Sequence, residues 1–191
     1  MDVAELWRWH EQFDDRERAG RVERNVTVLR WLEGYESGLF GGGEEALLAL
    51  KEARDAYILG LPLACLFASH VACERMVAGL FAMLPDDAVP KGWHRWGLGR
   101  LVPEAYRRGW LSEELAGEMV NLAEQRRVVG HFRRPLDPGT LMSRMAGMLP
   151  FDHEEGLVSL LLGDAGRALR TAFRLAYSPD EGLWRIRLYD S

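Results

Sequence analysis

The stretch that most constrains this chain is PLACLFASHVACERMVAGLF, which opens at Pro62 and is closed off by Pro85. Small and apolar side chains run round most of its circumference, so a helix here must be covered on nearly every side instead of along one stripe. Proline suits a first helical turn, where no amide donor is needed, and Pro85 cannot continue the helix, which predicts a helix over 62–84. Pro62, Ser69 and His70 interrupt the apolar run and Glu74-Arg75 follow it. It therefore reads as the buried centre of a bundle and not as a membrane span.

Helical patterns surround it, and no run of alternating strands exists to build a sheet. Val3, Leu6, Trp7, Trp9 (or His10) and Phe13 mark an amphipathic helix over 3–18, and Val22, Val26, Leu29 and Leu32 a second over 21–36. GLFGGG, residues 38–43, is the clearest breaker; without a lysine and a preceding strand it reads as a linker, not a phosphate loop. Glu44 and Glu45 suit the start of a helix that runs to Gly60. DDAVPKGW reads as a loop, followed by a short helix over 97–108. Ser112 is a good N-cap for a helix to about Val129, with Gly130 as its C-terminal stop and RRPLDPG unable to extend it. Asp152 and Glu155 resemble a capping box for a long helix to Tyr177, and GLWRIRLY alternates like a short strand or extended arm. At 191 residues the chain is long enough for one well-filled core. The expectation is an all-α, antiparallel helical bundle with an N-terminal helical arm and a long C-terminal helix. Residues 1–43 form the arm and its Gly-rich linker, and 44–191 the bundle with its C-terminal extension.

The formal charge is −5, which gives no global nucleic-acid signature, but the distribution is uneven. Lys91 to Arg134 carry nine basic and five acidic residues, a local +4 that leaves −9 for the rest. Cys65 and Cys73 lie eight apart, roughly 12 Å along a helix, too far for a disulfide. Two unpaired cysteines, with no apolar leader in MDVAELWRWHEQFDD, lead to the expectation of a cytoplasmic protein.

Three clusters can carry chemistry. His70, Cys73 and Glu74 have metal-compatible helical spacing, but without a second ligand cluster the better reading is a His and Glu satisfied by neighbouring helices; no metal or cofactor is expected. WHRW, residues 93–96, suits base stacking or a tryptophan-rich corner of the core, and the core reading is favoured. EQRRVVGHFRRP, residues 124–135, places Arg126, Arg127, His131, Arg133 and Arg134 at a helix end. A helix C-terminus repels phosphate, so an anion held there needs arginines to offset the dipole. A histidine that exchanges a proton beside a guanidinium is the minimum equipment for cleaving RNA without metal: one moves the proton of the ribose 2′-OH, the other stabilises the charge building on phosphorus. With 22 Arg and 5 His in the chain, such a pair arises by chance roughly once or twice at short spacings, so solvated arginines beside a helix-capping histidine are the alternative.

The surroundings add to the pair. PLACLFASHVACERMVAGLF, with Glu74 in an apolar, small-residue-rich run, resembles the central helix of HEPN domains. LGRLVPEAYRRGWLSEELAGEMVNLAEQRRVVGH resembles their approach to an Arg-x4-His motif: a short helix, a Gly-containing loop, a Ser-capped helix, then Arg and His. The resemblance spans residues 44 to about 135. It implies a dimeric helical bundle whose paired motifs face a shared cleft, and a metal-independent endoribonuclease of a toxin–antitoxin, phage-defence or RNA-processing system. Arg126 and His131 would then be the catalytic pair, with Arg127, Arg133 and Arg134 on RNA and an antitoxin or other protein as a further partner. That family often has Asn, Asp or His directly after the motif arginine, whereas here it is Arg127. This keeps open a non-catalytic module that binds RNA, nucleotide or protein.

Overall fold

The computed structural model describes residues 2–35, 41–131, 133–146 and 153–182. Its described residues form an all-α bundle of seven helices: α1 (Val3–Leu32), α2 (Gly43–Ile58), α3 (Pro62–Ala82), α4 (Leu98–Arg107), α5 (Glu113–Gly130), α6 (Leu141–Met145) and α7 (His153–Tyr177). Two single 3-10 turns, Asp86–Ala88 and Trp93–Arg95, lie between α3 and α4. The Asp152–Glu155 capping box, the front of GLFGGG, the side chain of His10 and the tail beyond Gly182 lie outside the described residues.

The apolar helix is the centre, as its composition requires. α3 packs on α2, α7, α4 and α5 and buries Cys65, Leu66, Met76, Val77, Leu80 and Phe81 among others. Fully burying a side chain the size of Leu or Phe contributes about 1.5–3 kcal/mol. By length and composition alone α3 would pass for a membrane span; here four other helices cover it. Both cysteines are free and buried, and burial pushes the Cys65 thiol up to about 12 and Cys73 in the same direction.

Gly41 and Gly42 are in contact with the core. A Cβ on Gly79 of α3 would stand 2.1 Å from the Gly42 nitrogen, and one on Gly42 would stand 2.2 Å from the Arg75 carbonyl oxygen. The chain entering α2 thus rests directly on the α3 backbone, which only glycine on both sides allows.

α1 departs from the sequence reading in two ways. It is one helix through Gly20, where two had been expected, and the side chains read as inward are outward: Val3, Leu6, Trp7, Trp9, Phe13, Val22, Val26 and Leu29 are exposed, and Leu32 is half-buried. Gly20 breaks nothing because it makes room; a Cβ there would meet the Arg24 guanidinium at 3.0 Å. Arg24 Nε donates to the Ile58 carbonyl at 2.9 Å, so the docking stripe is Arg24, Val28 and Trp31, and only Val28 reaches full burial. An Asp2–Glu5 capping box starts the helix.

Polar seams fix the remaining helices. Ser112 N-caps α5, and its own amide donates to Glu181, just beyond α7, at 2.8 Å. Arg174 of α7 binds Glu118 at 2.7 Å and Glu114 at 3.2 Å on α5. Buried Asp164 accepts from Arg144 of α6 at 2.5 and 2.9 Å and from Arg167. The tryptophans of WHRW belong to the core margin: Trp93 stacks on Phe81 with centroids 5.8 Å apart, and Arg100 covers Trp96 at 4.0 Å.

Because backbone atoms cannot yield as side-chain tips do, Gly79→Ala is expected to destabilise the fold by about 3 kcal/mol or more. Urea unfolding followed by circular dichroism measures it; a loss under about 1 kcal/mol would contradict the contact.

Candidate functional site

The site is built where one face of α3 meets the end of α5. Phe67, His70, Val71 and Glu74 are spaced i, i+3, i+4, i+7, one helical stripe, and with Arg126, Arg127 and His131 they line a groove of about 540 Å³. Arg126 is half-buried. Its guanidinium lies 5.8 Å from the Phe67 ring centroid, a cation–π contact. Its Nη1 is 3.3 Å from His131 Nε2. A guanidinium only donates, so Nε2 accepts, and the ring in this arrangement is neutral with its hydrogen on Nδ1.

The end of α5 differs from the sequence reading. Gly130 is the last helical residue and does not adopt a left-handed conformation; His131 itself caps the helix in an extended conformation, φ −125° and ψ 143°, with its amide donating to the Arg127 carbonyl. A Cβ at position 130 would meet the Phe67 ring at 3.4 Å, an ordinary van der Waals contact, so the ring does not itself require glycine there.

The other arginines are placed less uniformly. Glu124 accepts from Arg127 Nε at 2.7 Å and Nη2 at 2.8 Å, and lies 3.5 Å from Arg133. Those hydrogen bonds from Arg127 hold the Glu124 carboxyl below the ordinary carboxylate range. The Arg134 amide donates to Asp137, while its side chain is exposed. The structure therefore brings Arg126 and His131 together, ties Arg127 and Arg133 to one carboxylate, and leaves the exposed Arg134 side chain outside the groove lining.

His70 is where the sequence reading misses. A satisfied histidine was expected, yet among the described residues it has no hydrogen-bond partner, and it lines the groove. Burial holds its basicity below that of ordinary imidazole, Glu74 opposes this, and Arg126 adds to it. Glu74 accepts from the Leu98 amide at 2.8 Å and so caps α4. Cys73, three residues from His70, is fully buried, and no three-ligand metal cluster forms among the described residues. The signal for His70 was in the sequence: it shares a helical stripe with Phe67, Val71 and Glu74.

A cavity of about 570 Å³ lies on the face of α5 that carries Asn121, Gln125 and Val128. Its Arg144 and Arg167 are occupied by Asp164, and its described lining includes no histidine. No family model matches the chain, and neither a curated protein nor a solved structure matches it significantly.

Since Gly130 is helical and a methyl group there makes only an ordinary contact, Gly130→Ala is expected to leave stability unchanged or to raise it by up to about 1 kcal/mol. A thermal melt checks this; a left-handed stop would instead lose stability.

Proposed function

We propose that the chain is a HEPN-like, metal-independent endoribonuclease acting as a homodimer. The observation that carries the reading is the 3.3 Å contact between Arg126 Nη1 and His131 Nε2 in an open groove, on the two residues the motif resemblance singles out. A phosphodiester entering the groove draws the Arg126 guanidinium to its non-bridging oxygens, where it offsets the charge that builds as the ribose 2′-oxygen attacks phosphorus. Nε2 of His131, freed from Arg126, then exchanges a proton with the reacting oxygens. The products are a 2′,3′-cyclic phosphate and a 5′-hydroxyl. Exposed Arg134 guides the strand, and Arg127 and Arg133 join it where RNA phosphate competes with Glu124. Exposed Val71 and Val120 border the groove and offer apolar contact to a second protomer. A toxin–antitoxin or phage-defence role in the cytoplasm, with an inhibitory partner protein, fits such an activity.

The second reading is a non-catalytic module of the same shape that binds RNA, nucleotide or protein. It draws on Arg127, which stands directly after the motif arginine and is held by Glu124. The two readings separate in one experiment. Single-stranded RNA is incubated with wild type, His131→Ala and Arg126→Ala in EDTA. The nuclease reading expects cyclic-phosphate ends from wild type and a loss of about 10²–10⁴-fold for His131→Ala. RNA left equally intact by all three, with salt-dependent binding retained, would establish the second reading instead.

A further inference from the structure

We infer that His70 is the second proton-transfer group of the groove, working opposite His131 across the scissile phosphate. This rests on the nuclease reading and deepens it. Cleavage by 2′-OH attack needs two proton movements: one proton leaves O2′ as the O2′–P bond forms, and another reaches O5′ as the P–O5′ bond breaks. One imidazole performs one of these in a given step. His70 and His131 sit on different elements, α3 and the end of α5, and both line the groove that holds Arg126.

Three features favour His70. It is half-buried on the stripe that faces α5, beside the Phe67 ring that supports Arg126. No described residue takes its ring nitrogens, and they are not fully enclosed, so they remain open to a ligand. The charged and titratable groups around it are Glu74 on its own helix, with Glu124, Arg126, Arg127 and His131 from α5 and its cap. Glu124 and Arg127 neutralise each other, which leaves Glu74 and Arg126 as the charges that act on the ring.

The division of labour follows. Burial and Arg126 keep His70 neutral near neutral pH, so it accepts the O2′ proton. Once Arg126 has moved to the phosphate, His131 Nε2, at the exposed helix end, takes up a proton from water and delivers it to O5′ as the P–O5′ bond breaks. His70 ends protonated and His131 returns to its neutral form, and loss of the O2′ proton from His70 to water completes the cycle.

The test is the pH dependence of RNA cleavage by wild type, His70→Gln and Glu74→Gln. A base must be neutral to act, so the wild-type rate climbs with pH through an inflection below the ordinary imidazole value of about 6.5. His70→Gln is expected to lose that climb and about 10²–10⁴-fold in rate. Glu74→Gln keeps an acceptor for the Leu98 amide but removes the charge that favours protonated His70, so its inflection moves to lower pH. That variant carries the test if circular dichroism shows His70→Gln to be unfolded. If wild type cleaves and His131→Ala does not, while His70→Gln keeps both rate and profile, the role of His70 is overturned and the nuclease reading stands. An unmoved inflection in Glu74→Gln overturns it equally. A wild type that leaves RNA intact overturns both.

Discussion

The chain crossing at Gly42 and Gly79 is the constraint on which the other contacts depend. Backbone meets backbone there with no side chain between, which seats the start of α2 directly on α3, the helix that α4, α5 and α7 also pack against. A helix with apolar side chains on most of its surface is stable only if enclosed. The polar seams of Arg174 and Asp164 come second. They fix rotation and register among helices whose positions apolar packing has already determined.

The same enclosure creates the site. Most of α3 is sealed, but the stripe of Phe67, His70, Val71 and Glu74 faces α5 where that helix ends, and the shell stays open there. The α3 wall of the opening carries the Phe67 ring beside His70 and Glu74, and the α5 wall carries Glu124, Arg126 and Arg127. Arg126 bridges the two, with its guanidinium against the Phe67 ring and toward the imidazole of His131. The neighbouring cations are held by Glu124, which concentrates the groove's available positive charge on a single arginine.

Much of the fold was legible in the sequence because its signals are local. Pro62 at a first turn, Ser112 as an N-cap and the burial implied by the composition of α3 all act within a few residues, and each is found in place. What was not legible depends on residues far apart in the chain. Gly79 makes room for the Gly42 backbone, a partner on another part of the chain that no local pattern reveals. Helical periodicity located an apolar stripe on α1 but could not reveal that the bundle uses another, through Val28 and Trp31. Arg126 and His131 were found by spacing. The place of His70 on a stripe with Phe67, Val71 and Glu74 was readable from spacing; that this stripe faces the open end of α5 was not, because it depends on how two helices pack.

α1 is joined to the bundle through its last third, and none of the described side chains from Val3 to Arg18 is buried. The arm and the core therefore answer to different constraints. A change of one methyl group in α3 is felt by four helices, whereas the arm can change in length, charge or aromatic content without any core residue having to adjust. The molecule thus combines a rigid interior, where sequence has little freedom, with a projecting segment whose sequence is free to follow whatever it meets.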